Sequence, residues 1–135
     1  MIEHIAVIGL GSIGRRHLRL ARQIRPKINI TVVRSGKGAI AKEEKFADNI
    51  YYSLDEAIDA GIQAAIIGTP SIYHVKQAMK LIKAGKHVLI EKPLSHSLDN
   101  VNSLLQVEKK KRVVVTLGYC FRYDPAALKF KEFLS

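Results

Sequence analysis

The sequence predicts an α/β domain built on a doubly wound parallel sheet with crossover helices. Three observations carry that expectation. Apolar strand-like runs alternate with amphipathic helical stretches from the first residues onward. The runs are continuously apolar rather than alternating, the pattern of strands covered on both faces. The first run ends in a glycine-rich turn, Gly9 to Gly14, that opens directly into a helix.

Taken in order, the strands read as Ile5 to Ile8, Ile28 to Val33, a short Ile50 to Tyr52, Ala64 to Ile67, Val88 to Ile90 and Val113 to Leu117. The first helix starts at Ile13, carries Leu20, Ala21 and Ile24 as one stripe, and is closed by Pro26. His17 falls on that stripe and reads as a buried histidine packed against the sheet rather than a ligand. After the fourth strand, Thr69 reads as an N-cap with Pro70 in the first turn. Ile72, Val75, Met79 and Ile82 then point inward and Gly85 lies just past the end. Another helix runs from Ser97 through Leu98, Val101, Leu104 and Leu105 to the cations of "KKKR", which suit a helix C-terminus. Asp124 and Pro125 read as cap and first turn of a last helix, with Leu128 and Phe133 facing something apolar.

With 135 residues, 47% hydrophobic and 25% charged, the chain suits one globular domain with a core. Residues 1–120 form that domain, and 121–135 read as the start of a helix leading into another. No run approaches a membrane span and no leader precedes "IAVIGL", so no membrane partner is expected. A single cysteine, Cys120, makes no internal disulfide, which points to the cytoplasm. No metal site is read. The net charge of +10 must be weighed against nucleic-acid binding. Its cations are dispersed, and the two clusters "RRHLRLARQIR" and "EKKKR" alternate with apolar residues at helical spacing and not with exposed aromatics. Solvated helix faces and a field that gathers anionic small molecules account for them, so no nucleic-acid partner is expected.

"GLGSIG" is G-x-G-x-x-G, a weak pattern alone but here placed between a strand and a helix in the first crossover. Gly9 permits the tight turn, Gly11 lets backbone approach a pyrophosphate, and Gly14 allows close helix–strand packing. The amides near Ser12 and Ile13 then aim at phosphate. A packing turn or a methyltransferase loop has a similar shape, but dinucleotide binding fits the context better. The fold is thus a Rossmann sheet of order 3-2-1-4-5-6. In an NAD site an acid about 20 residues on takes the ribose hydroxyls. In its place stand Arg34, Ser35 and Lys37, with no carboxylate nearby in "VVRSGKG". A guanidinium binds a 2'-phosphate that a carboxylate repels, so NADP is expected over NAD, with NAD possible.

In doubly wound sheets the ligand lies across the carboxyl ends of the strands. The fourth, fifth and sixth strands run into "GTPSIYH", "EKPLS" and "GYCFRYDP", which brings Thr69, His74, Glu91, Lys92, Tyr119 and Arg122 to one crevice. Adjacent strand residues point to opposite faces, so Glu91 is poorly placed to pair with Lys92. With the phosphate loop, these segments in this order and spacing resemble the amino-terminal half of the Gfo/Idh/MocA oxidoreductases, over essentially the whole chain. The resemblance implies a domain that binds NAD or NADP for hydride exchange with a sugar, cyclitol or related small molecule. By that likeness Lys92 contacts substrate and nicotinamide ribose and helps move a proton. Glu91 stands beside the cofactor, Thr69, Pro70 and His74 lie over ribose and nicotinamide, and Arg122 matches an arginine after the sixth strand.

The family's second sheet domain carries an Asp-x-x-x-His motif, which none of the histidines at 4, 17, 74, 87 and 96 completes. The expectation is a chain lacking its C-terminal substrate domain, whether a truncation, a natural fragment or half of a two-chain enzyme. Such a chain does not turn over substrate alone. The alternative is a non-catalytic dinucleotide-binding or regulatory module. Substrate identity and any oligomer depend on the missing part.

Overall fold

A computed structural model describes residues 1–134. Six strands, β1 (His4–Ile8), β2 (Asn29–Val33), β3 (Asn49–Tyr51), β4 (Ala64–Ile67), β5 (His87–Ile90) and β6 (Val115–Leu117), form one sheet of order β3-β2-β1-β4-β5-β6. All pairings are parallel, and β1 lies between its neighbours with Ile5 opposite both Ile30 and Ala64. The expected topology is therefore present; β4 has the expected bounds and the other strands shift by one or two residues.

The pleat divides the core in two. Ala6 and Ile8 of β1, Ala65 and Ile67 of β4, and Val88 and Ile90 of β5 face one side. There they meet α2 (Leu54–Asp59), α3 (His74–Lys83) and α4 (Val101–Lys111) through residues such as Ala57, Leu81 and Leu104. Val7, Ile30 and Val32 face the other side with Leu18 of α1 (Ser12–Ile24). Each fully buried leucine or isoleucine contributes roughly 1.5–3 kcal/mol over its exposed state. The second face is covered over β1 and β2 and in part over β4, where Ile66 packs against this cluster. Across β4 to β6, Ile66, Leu89 and Val114 line an open apolar groove of about 310 Å³, so the continuous apolar runs overstate the cover there.

Several helical details differ from expectation for local reasons. In α1 the buried positions are Gly14 and Leu18, while Leu20 and Ile24 are exposed, because the close approach of Gly14 to the sheet fixes which face turns inward. Thr69 does not cap α3. Its hydroxyl donates to Gln77 Oε1 at 2.6 Å, a 3-10 turn at Ser71–Tyr73 intervenes, and Ile72 is exposed. α4 starts at Val101 after a left-handed Asn100, leaving Leu98 outside it and exposed. α2 was not anticipated, although "SLDE" is a capping box: Ser53 Oγ accepts the Glu56 amide and Glu56 Oε2 the Ser53 amide. The last helix, α5 (Pro125–Phe133), is capped by Asp124 as expected, with Leu128 and Phe133 exposed. No described helix is long and apolar enough to cross a membrane.

Candidate functional site

The glycine loop joins three strand ends. The Gly9 amide donates to Val33 O at 2.8 Å with φ +84°, which ties the end of β1 to the end of β2. A Cβ on Gly14 would lie 1.9 Å from Gly9 O, so only glycine lets α1 start this close. A Cβ on Gly11 would meet nothing within 4 Å, because the space beyond is a cleft. That cleft, about 640 Å³, lies across the ends of β1, β2 and β4 and is lined by Gly9, Gly11, Arg34, Lys37, Thr69 and Pro70 among others. α1 begins beside it with no side-chain cap and no acid in its first turn, so its leading amides stay available to an anion. Ser12 and Ile13 line not this cleft but a neighbouring basic pocket, with Arg15, Arg16, Arg19 and Lys42. Its one acid, Glu43, is pushed up by burial, yet its own backbone amide and Arg19 outweigh that and hold it below the usual carboxylate range.

The end of β2 differs from expectation in one respect: a carboxylate does lie nearby. Gly36 and Gly38 turn the chain with positive φ, and a 3-10 helix, Lys42–Phe46, carries Glu44 back onto Arg34. Arg34 Nη1 donates to Glu44 Oε1 at 2.5 Å, and Nη2 to the carbonyls of Gly38 and Ala39 at 3.0 and 3.2 Å. Both side chains are nearly buried, so Arg34 is a fixed part of the wall. Ser35 and Lys37 are exposed on the cleft, and the Ser35 hydroxyl accepts the Lys37 amide at 3.3 Å.

At the end of β5, Glu91 is held on three sides. His17 Nε2 lies 2.6 Å from its Oε1, the Lys92 amide donates to its Oε2 at 3.2 Å, and Gly118 leaves room for the carboxyl group. His17 is thus not packed in the core. Leu18 takes the inward position and His17, one residue round the helix, reaches β5. Glu91 does not pair with the Lys92 ammonium, which is exposed and free of ion pairs among the described residues. Pro93 follows through a cis peptide bond. His74 is buried, with Nε2 2.7 Å from Thr69 O and Nδ1 2.9 Å from Pro93 O, so its ring bridges the loops after β4 and β5. Tyr119 and Arg122 are exposed at the turn Cys120–Tyr123, past β6. These segments all follow the carboxyl ends of their strands, but they do not all reach one cleft. The cleft itself is lined by Gly9, Gly11, Arg34, Ser35, Lys37, Thr69 and Pro70, while Ser12, Ile13, Gly14, His74, Glu91, Lys92, Tyr119 and Arg122 lie outside its lining. Glu44 and Gln77 line it too, and sequence reasoning missed both. No group of metal-binding side chains is present among the described residues.

Comparison with known proteins gives a consistent picture. The family described as "Oxidoreductase family, NAD-binding Rossmann fold" matches residues 4–119. Myo-inositol 2-dehydrogenase of Thermotoga maritima is 33% identical over 131 residues, covering 95% of this chain and 39% of that protein. Scyllo-inositol 2-dehydrogenase (NAD(+)) of Bacillus subtilis is 31% identical over 128 residues, covering 90% of this chain and 36% of its own length. Among solved structures, GenD2 from gentamicin A biosynthesis in complex with NAD has a TM-score of 0.80 at 28% identity, over 90% of this chain and 36% of that one. Scyllo-inositol dehydrogenase from Lactobacillus casei, with NAD(H) and scyllo-inositol bound, superposes with a TM-score of 0.84 at 24% identity, over 99% and 41% respectively. The chain spans roughly two fifths of the length of the curated relatives it matches.

Proposed function

The chain belongs to the Gfo/Idh/MocA oxidoreductase family, as its NAD-binding Rossmann domain, and on that premise we propose that it binds a nicotinamide dinucleotide, NADP in preference to NAD. It does so as the cofactor-holding part of an enzyme acting on a sugar, cyclitol or related small molecule. The observation that supports this best is the open space over Gly11, between the uncapped start of α1 and the exposed Ser35 and Lys37. A pyrophosphate fits where backbone approaches without a side chain and amides point outward. Ser35 and Lys37 then face a 2'-phosphate, with Arg34 behind them.

The bound dinucleotide supplies the hydride chemistry, and the protein supplies placement and charge. Gly11, Ser12 and Ile13 hold the diphosphate. Gly9 and Gly14 set the loop that makes this possible. Thr69 and Pro70 cover the ribose, and His74 fixes that loop against Pro93. Glu91, clasped by His17, fixes the backbone of Lys92, whose ammonium contacts the substrate and passes its hydroxyl proton. Arg122 stands at the far rim. Residues 1–120 act as the dinucleotide domain, and residues from 121 lead toward the part of the enzyme that completes the substrate pocket. Cofactor binding needs only residues 1–120, whereas turnover needs that part as well. The lone exposed Cys120 suits the reducing cytoplasm.

Calorimetric titration with NADPH and NADH tests this, on wild type and on Lys37→Ala, whose exposed side chain leaves the fold untouched. NADPH binding should weaken by roughly tenfold in the variant while NADH binding holds. If wild type binds neither nucleotide the proposal fails. If Lys37→Ala weakens both equally, the preference for NADP fails and dinucleotide binding stands.

A further inference from the structure

We infer that Glu44 sets the cofactor specificity of this pocket, acting as the carboxylate that the end of β2 lacks. It is placed to accept a ribose hydroxyl of NAD and to oppose the 2'-phosphate of NADP. The inference rests on the dinucleotide reading above.

Donor and acceptor counts support it. Arg34 has five N–H groups, and three are directed to Glu44, Gly38 and Ala39. A 2'-phosphate therefore meets a guanidinium with two N–H groups to spare and a carboxylate already against it. Glu44 Oε1 accepts both Arg34 and the Ala41 amide, the latter at 3.0 Å. Among the described residues its Oε2 receives no donor. Among the described residues the one buried side-chain atom without a partner belongs to Glu43, so Glu44 Oε2 is not sealed off. Glu44 lines the same cleft as Arg34, Ser35 and Lys37. An open carboxylate oxygen there suits a hydroxyl, a donor, and repels a phosphate, an acceptor carrying negative charge. Lys37 and Ser35 favour the phosphate and Glu44 limits that preference, so the pocket accepts both cofactors.

The neighbouring Glu43 does not share this role. Its side chain turns the other way, onto Arg19 at 2.9 Å, and lines the basic pocket on the far side of the loop. Two adjacent glutamates thus serve opposite walls, and only one reaches the cleft.

The test is Glu44→Gln in the 135-residue chain. Glutamine keeps an acceptor for the Ala41 amide and for Arg34 while removing the charge. Dissociation constants for NADPH and NADH are measured by calorimetry. NADPH should bind roughly tenfold tighter and NADH roughly tenfold weaker, a shift in their ratio of about a hundredfold. A ratio that stays put, or moves toward NADH, overturns the inference. Should the unpaired Arg34 unfold the single variant, seen as lost circular dichroism, the neutral double variant Arg34→Gln/Glu44→Gln takes its place. NADH must weaken there as well, and undiminished NADH binding overturns the inference. Wild type that binds neither nucleotide would instead sink the dinucleotide reading itself.

Discussion

Gly11 and Gly14, three residues apart on one loop, should fail in different ways, and alanine at each separates packing from ligand clearance. At Gly14 a methyl group would stand 1.9 Å from Gly9 O and 2.9 Å from Gly9 C, both backbone atoms that no rotamer can move. Relief requires α1 to back away by more than about 1 Å, since carbon and oxygen rest at roughly 3.2 Å or beyond. Leu18, one turn on and fully buried, would be drawn out of its pocket with the helix. Overpacking that cannot relax, plus partial loss of a buried leucine, costs about 3–5 kcal/mol. Against a total stability of about 5–15 kcal/mol that is a large share. With a urea slope of about 2 kcal/mol/M the midpoint should fall by about 1.5–2.5 M. At Gly11 the backbone is ordinary, φ −64°, and the methyl group meets nothing. Alanine at this N-cap should cost only about 0.5–1 kcal/mol, a midpoint shift of at most about 0.5 M. Binding should respond the other way: Gly11→Ala, folded, should lose roughly a hundredfold in NADPH affinity because the methyl group stands where a pyrophosphate would approach. Equilibrium urea unfolding and calorimetry read both effects. The reasoning is refuted if Gly14→Ala unfolds at the wild-type midpoint, or if Gly11→Ala binds NADPH as wild type does.

His17→Ala leaves the largely buried Glu91 carboxylate without its side-chain partner, and stability should drop by about 1.5–3 kcal/mol, measured by urea unfolding. An unchanged midpoint would mean that the contact contributes nothing. Burial holds the His4 imidazole below its usual 6.5, although Asp48 pulls it up. The folded state then takes up this proton less readily than the unfolded chain, so stability is complete above pH 6.5 and falls as pH drops below it. His4→Gln should flatten that limb in thermal melts taken across the range, and an identical pH profile would rule it out. Burial pushes the Asp48 carboxyl up, but the Ile30 amide and Arg22 outweigh it and hold it below 3.8. A further loss is therefore expected as pH falls below 3.8, and Asp48→Asn should remove it.

The sheet was legible because parallel strands near a doubly covered centre are apolar throughout, and that signal survives errors of a residue at each end. The face of α1 was not, since Leu18 and Leu20 compete in "RRHLRLA" and apolar spacing alone admits either. Starting from Gly14, the residue that must touch the sheet, the next turn falls on Leu18, so the phosphate loop itself contained the answer. The glycine loop, Arg34 and the strand-end segments were readable because each sits at a fixed point of the crossover pattern. Glu44 was not, because it returns to Arg34 through an irregular loop turned by Gly36 and Gly38, where no period says which of two adjacent glutamates points inward. The clasp of His17 on Glu91 joins residues 74 positions apart and emerges only once α1 and β5 are laid over the same sheet.

The place of β1 in the sheet bears on how the chain comes off the ribosome. It is made first but lies in the middle, with β2 on one flank and β4 on the other. β2 is complete at Val33, whereas β4 ends at Ile67. At about 5–20 residues per second, the interval between them lasts roughly 2–7 s. Throughout it, one edge of an apolar strand, Ala6, Val7 and Ile8, has backbone groups with no partner. Such an edge recruits other chains. A nascent chain halted before residue 64 should therefore be sticky and depend on a holding chaperone, and one released after residue 67 should not.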